Sequence, residues 1–435
     1  MGQFEAGAAK SDITPEAGVE LAGYSPRVER TNRSTGIHDP IWIRALALRS
    51  GESSVLILVM DLLGIELPTT ELIRSLVAEN LHIAPDGILV SCTHNHSAPS
   101  LLEEYEEGIL VDEAWKRATI NAAVDVAEKA LANMKPALIG AGRTEVGDVG
   151  ANRKVWLDDG SIFHYIGLSA RVPPEGRAVA KTGIIDPELA VLCVKDRTDK
   201  LIAVLVNYAC HPWIYNGNRV SSEVSGACVE LVEDQLVPEN PDVIAIFTPG
   251  AGSNITTIQH QIPIPDSVPE REPWFASERL RLGGILSQAA LQVVREMTEF
   301  ASVGSVTSDL CRMASPAYGK NLGAVVAESD GLPPTDMALE TEAQVIKIGQ
   351  VVLVGLPSEV YVEIGLDIKK RSRYQDTFVI SQSNDYFADI ITEEAVKERC
   401  CPELEWTRVH PGIRDLIMGC LEHRIFKADD SIHKG

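Results

Sequence analysis

Along the chain, short near-continuous apolar runs alternate with longer stretches in which apolar residues recur every three or four positions. The runs Val55–Met60, Gly87–Cys92, Leu189–Val194, Leu201–Tyr208, Val243–Phe247, Ala343–Ile348, Val351–Leu356 and Phe378–Gln382 predict strands covered on both faces. Helical spacing predicts Leu72–Leu81 opened by Thr70-Glu71, Ala114–Met134 opened by Asp112-Glu113, and the long stretch Trp274–Met297. Strands alternating with helices predict an α/β fold, a layered mixed β-sheet core flanked by helices. No fixed-period repeat, heptad array or Gly/Ser linker divides the chain. Residues 1–435 therefore read as one large catalytic domain without a separate C-terminal domain. Gln259–Pro273, with four prolines, and Ser315–Asp336 read as long irregular loops, and Cys400–Gly435 as a charged tail with a mobile end.

Composition narrows the function classes. A hydrophobic share of 45% is that of a globular protein. Lys and Arg number 39 against 62 Asp and Glu, a net charge of −23 that disfavours nucleic acid and anionic membrane surfaces as partners. No run approaches the roughly 20 apolar residues of a membrane helix. The opening Met1-Gly2-Gln3-Phe4-Glu5 has neither the basic start nor the apolar core of a secretory leader. Eight scattered cysteines without a CxxC pair read as reduced thiols, and the expected location is the cytoplasm.

Candidate chemistry collects where strands end. Ser91-Cys92-Thr93-His94-Asn95-His96-Ser97-Ala98-Pro99 delivers two histidines into a loop of small residues, a pattern that suits Zn²⁺ as well as a hydrogen-bonded turn. His211 ends the run Leu201–Val206 just before Pro212, the place of a metal ligand or of a packed capping residue. Thr248-Pro249-Gly250-Ala251-Gly252-Ser253-Asn254-Ile255-Thr256-Thr257 is a Gly-rich turn without the signature of a phosphate loop. Glu359 follows Val351–Leu356 near a helix start, where the helix dipole alone would favour it. Together the four segments place His, His, Gly/Thr and Glu at strand ends, the usual location of an α/β active site.

The motifs carry a resemblance as well. Asp12-Ile13-Thr14-Pro15 with Gly23-Tyr24, then Gly36-Ile37-His38-Asp39-Pro40 with Arg44-Ala45, then Thr93–Pro99, Asn152-Arg153, His211-Pro212 with Ser222-Glu223, and Pro357-Ser358-Glu359 follow one another along the chain. In that order they resemble the motifs of the neutral/alkaline non-lysosomal ceramidase family, Zn²⁺ amidases that cleave the N-acyl bond of ceramide. The resemblance implies His94, His211 and Glu359 as zinc ligands, His96 as a transition-state stabiliser and Arg153 as the holder of the substrate carbonyl. Thr256 falls at the family's catalytic Ser, Asn254 replaces an Asp, and Asp389 stands where the family places a zinc-bound Tyr, so Asp389 is expected as a fourth ligand.

The resulting expectation is a zinc-dependent hydrolase with one catalytic ion, cleaving an amide of a small, relatively polar substrate through a metal-activated water. His96, Arg153 and Thr256 would act in catalysis. His38 and Asp61 would orient the ligating imidazoles, and Asn254 and Tyr386 would lie beside them or touch substrate. Ester or lactone hydrolysis, a lyase step on the same metal, and a catalytically idle binding protein are the alternatives. A homo-oligomer is expected, as for many large soluble enzymes.

Overall fold

The computed structural model describes residues 2–23, 32–102, 110–165, 172–214, 217–261, 271–329, 332–399 and 401–427. Tyr24, the stretch 262–270 of the expected proline-rich loop, Cys400 and the end of the tail from 428 onward lie outside the described residues. The fold is mixed α/β, built on two sheets.

The large sheet contains β1 (Gly2–Asp12), β2 (Trp42–Ser50), β3 (Ser53–Met60), β4 (Ile88–Cys92), β5 (Lys135–Glu145), β6 (Glu188–Asp196), β7 (Leu201–Tyr208) and β8 (Ile244–Pro249). Their spatial order is β8-β7-β6-β5-β1-β2-β3-β4, with the short strand Val303–Gly304 added to β1. Only the edge pairs β7–β8 and β3–β4 are parallel. The small sheet runs β9 (Val306–Ala317), β10 (Met337–Ile348), β11 (Val351–Gly355) and β12 (Asp376–Ile380), with β11–β12 parallel.

The two sheets face each other across an apolar layer that includes Phe4, Leu46, Ile57, Leu205, Ile346 and Phe378. Helices α1 (Leu67–Leu81), α2 (Glu113–Ala132), α3 (Glu223–Leu236) and α4 (Arg271–Glu296) cover the outer face of the large sheet. The small sheet is covered by α5 (Leu322–Glu328), α6 (Val362–Arg371), α7 (Glu393–Glu398) and α8 (Ile413–Leu421). Every strand run expected from the sequence is a strand here, with ends shifted by a few residues. The Gly/Ala-rich β1 does not read as an apolar run, yet a Cβ at Gly7 would lie 2.2 Å from the Ala130 carbonyl oxygen. Close approach to α2, rather than side-chain bulk, seats that strand.

Three expectations are corrected. Helix α1 begins at Leu67 and not at Thr70, because Pro68 suits a first turn and the Asp385 carboxylate accepts the Leu67 N–H at 2.9 Å. The stretch Ser315–Asp336 is not wholly irregular: β9 continues to Ala317 and α5 starts on the Asn321 cap. The cysteines are not all thiols, because Cys311 of β9 and Cys420 of α8 form a disulfide, while Cys92, Cys193, Cys210, Cys228 and Cys401 are free and buried. No helix among the described residues is long and apolar enough to cross a membrane.

Candidate metal centre

The large sheet curls until its edge strand β8 comes back against β3 and β4. The residues after β12 stitch the two edges together. Cys92 donates to the Gln382 carbonyl at 3.0 Å, Asn384 donates to Val90 at 2.7 Å, and Ser381 donates to Pro249 at 3.0 Å. Consequently the loops following β4, β7, β8 and β11 converge. His94, Ser358, Gln382, Asn384 and Ala388, in the loops after β4, β11 and β12, all have positive φ, a conformation that, Asn384 apart, costs such residues about 1–3 kcal/mol each. Strain of that kind persists only where the surrounding structure holds it in place.

Four expected residues meet at the convergence. The Nε2 atoms of His94 and His96 are 3.0 Å apart, and Glu359 Oε2 lies 3.3 Å from His94 Nε2 and 2.9 Å from His211 Nε2. His94, His96 and His211 form one buried group able to hold a metal ion. Each imidazole is oriented by a backbone carbonyl at Nδ1: Leu63 for His94 at 3.0 Å, Gly23 for His96 at 2.8 Å, and Gly252 for His211 at 2.8 Å. Expectation gave that orienting task to Asp61 and His38. Asp61 instead accepts from Arg44 and from the Trp42 backbone, while His38 pairs with Asp39.

The carbonyls decide the tautomers. A ring that donates Nδ1–H while neutral has a lone pair at Nε2, so His94 and His96 aim two lone pairs at each other and His211 aims one at a carboxylate. Burial opposes protonation of His96 and His211. Burial, then the neighbouring His94 and His211, holds His96 well below the usual imidazole range, and burial with Arg153 brings His211 down to about 4. Three nitrogen lone pairs and a carboxylate facing inward suit a divalent cation, and this donor set suits zinc.

Arg153 stands at the edge of this group. Gly150–Asn152 pairs antiparallel with Ile255–Thr257, which sets Arg153 against the Gly-rich turn. Its Nη2 is 3.1 Å from His211 Nε2, its Nη1 donates to Glu403 Oε1 at 2.8 Å, and its buried Nε has no partner among the described residues. Tyr386 donates its hydroxyl to Glu359 Oε1 at 2.6 Å, bringing a phenol into the cluster. Asp389 is the register partner of Glu359, but its carboxyl accepts from Ser253 Oγ at 2.5 Å. Burial, with Glu359 and Glu403 nearby, lifts that carboxyl well above the usual range. Thr256 Oγ1 accepts from Trp213 Nε1 at 2.8 Å. Asn254 caps α6 by accepting the Val362 N–H and donates to Glu363.

Sequence reasoning did not single out Trp213 or Glu403. The Trp213 ring packs 5.1 Å from His96 and 5.8 Å from the Arg153 guanidinium. Its place two residues after His211 was the available signal. Glu403 is brought in from a distant short turn, and nothing in its local sequence marks it.

Comparison with known proteins shows related sequences and a shared fold. The family model for neutral/alkaline non-lysosomal ceramidase, N-terminal, matches residues 4–257. A neutral ceramidase of Pseudomonas aeruginosa is 27% identical over 263 residues, which make up 58% of this chain and 37% of that protein. The matched stretch thus spans little more than a third of that relative. The crystal structure of neutral ceramidase from Pseudomonas aeruginosa superposes with a TM-score of 0.75 at 19% identity, covering 97% of this chain and 73% of that one. A ceramidase complexed with C2 superposes with a TM-score of 0.75 at 19% identity, covering 96% and 74%. At such identities the superpositions speak to the fold.

Proposed function

The chain belongs to the neutral/alkaline non-lysosomal ceramidase family, and from that premise we propose that it is a zinc-dependent amidohydrolase acting on a small, relatively polar amide. The observation that carries the proposal is the inward-facing set of His94, His96 and His211 lone pairs and the Glu359 carboxylate, each imidazole pinned at Nδ1 by a carbonyl. His94, His211 and Glu359 would hold the ion, with His96 completing the donor set. When bound, the ion supplies Lewis acidity, acidifying a water and polarising the carbonyl.

The chain's own groups supply the rest. Tyr386 fixes one oxygen of Glu359 and so aims the other inward. Arg153, beside His211, donates to the substrate carbonyl and stabilises the negative charge that develops on its oxygen. His96 offers a lone pair rather than a proton in its neutral form, so the oxyanion contact falls to Arg153 and not to His96. Trp213 shields the His96 face from water and holds the Thr256 hydroxyl in place.

A polar substrate is supported by the net charge of −23, which disfavours docking on an anionic lipid surface. A cavity of about 570 Å³ lined by Lys154, His164, Tyr361, Glu363 and Glu403 among others lies behind Glu403 and includes none of the four inward-facing donors. The test is acid release from a panel of short N-acyl amides, with matched esters alongside. Zinc-replete protein should release acid from amides, lose that activity to a chelator and regain it with zinc, and Arg153→Gln should be impaired. Release from esters alone, or from nothing in the panel, would contradict the proposal.

A further inference from the structure

We infer that Glu403 is a positioning residue that keeps Arg153 from retaining the acid product, an inference that rests on the amidase reading. Hydrolysis adds water across the C–N bond: the nitrogen gains a hydrogen and leaves as an amine, and the acyl carbon gains the hydroxyl. The resulting acid ionises at neutral pH. A guanidinium binds that carboxylate through charge-assisted, often bidentate hydrogen bonds, more strongly than it binds the neutral amide the acid came from. An arginine at the carbonyl site therefore invites product inhibition.

Glu403 counters it. The side chain is only 1% exposed, and both of its oxygens are used. Oε1 accepts from Arg153 Nη1 at 2.8 Å, and Oε2 accepts from the Tyr361 hydroxyl at 2.9 Å. Its short turn, Pro402–Glu405, is tied down because Thr407 donates its backbone N–H to the Glu403 carbonyl and its hydroxyl to the Asp389 carbonyl. Arg153 thus reaches the site with its charge already matched while Nη2 faces His211. It can donate a hydrogen bond to a neutral carbonyl, whereas an incoming carboxylate meets a second anion across the guanidinium. A purely structural anchor for Arg153 would need only an acceptor. The charge is what bears on the product.

Glu403→Gln retains the acceptor and removes the charge. Propanoate and its neutral isostere propanamide are titrated calorimetrically into metal-replete wild type and variant, with metal content measured in each. Glu403→Gln should bind propanoate on the order of tenfold tighter, leave propanamide nearly unchanged, and show stronger inhibition by propanoate in turnover. Glu403→Asp should return propanoate affinity toward wild type. Equal or weaker propanoate binding by Glu403→Gln, or no propanoate binding by either protein, would overturn the inference. If Glu403→Gln does not fold, Arg153→Gln decides: with Glu403 left uncompensated, propanoate binding should vanish while propanamide still binds, and persistent propanoate binding would overturn the inference. Amide turnover by wild type is read separately. Its absence would count against the amidase reading, while the propanoate comparison would still report on Glu403.

Discussion

Replacing Glu359 by Gln should strengthen the metal-free protein while crippling its metal site. In the wild type without metal, the ionised carboxylate faces the Nε2 lone pairs of His211 at 2.9 Å and His94 at 3.3 Å, all of them buried. The Gln amide nitrogen would turn both contacts into hydrogen bonds, and its oxygen would keep the bond from Tyr386. Arg153 Nη2 already meets His211 Nε2, so the gain comes from His94; a buried polar atom without a partner costs about 1–3 kcal/mol, and relief there should stabilise metal-free Glu359→Gln by about 2 kcal/mol. Metal affinity should fall by at least about a hundredfold, beyond the loss usual for partners outside the ligand set. Urea denaturation of chelator-stripped wild type and variant at pH 8, paired with a zinc titration, reads both quantities. As pH falls through His211's value of about 4, the imidazolium would pair with Glu359 and the advantage should shrink. A metal-free variant less stable than wild type at pH 8 would refute the tautomers assigned to the histidines.

Other perturbations test the framework around the site. Burial raises Asp385 to about 6, above its ordinary 3.8, so the folded state holds a proton that the unfolded state has lost between those values. That stability is present below pH 3.8 and disappears as pH rises through 6. Asp385→Asn should therefore gain up to about 3 kcal/mol at pH 8 and almost nothing at pH 3.5, and a gain of equal size at both would contradict the assignment. Reducing the bridge between Cys311 and Cys420, 109 residues apart, should lower stability by up to about 5 kcal/mol. Denaturation with and without reductant, with a thiol count on the unfolded protein, checks this. A full count of eight thiols before reduction would show that the bridge does not form.

Much of the architecture is legible from periodicity because these strands are buried on both faces and read as unbroken apolar runs. The segments carrying His94, His211 and Glu359 stand out for the same reason: an apolar run halts at a side chain that favours metal or water. β1 escapes that criterion because it is seated by small residues, with Gly7 packed against α2. The carbonyls of Leu63, Gly23 and Gly252 that set the imidazole tautomers are backbone atoms, which no residue pattern reports. Glu403 lies 250 residues from Arg153 along the chain, and only tertiary closure reveals the pair. Asp389 illustrates the reverse: its position suggests a ligand, yet its carboxyl is engaged by Ser253.

The most direct measurement is the metal content of purified wild type and His211→Ala, read by mass spectrometry together with the circular dichroism of each. The converging histidines and Glu359 predict about one zinc per wild-type chain, lost from His211→Ala while the spectrum is retained. A wild type that stays metal-free in excess zinc, or a His211→Ala protein that holds zinc as tightly, would contradict the metal centre.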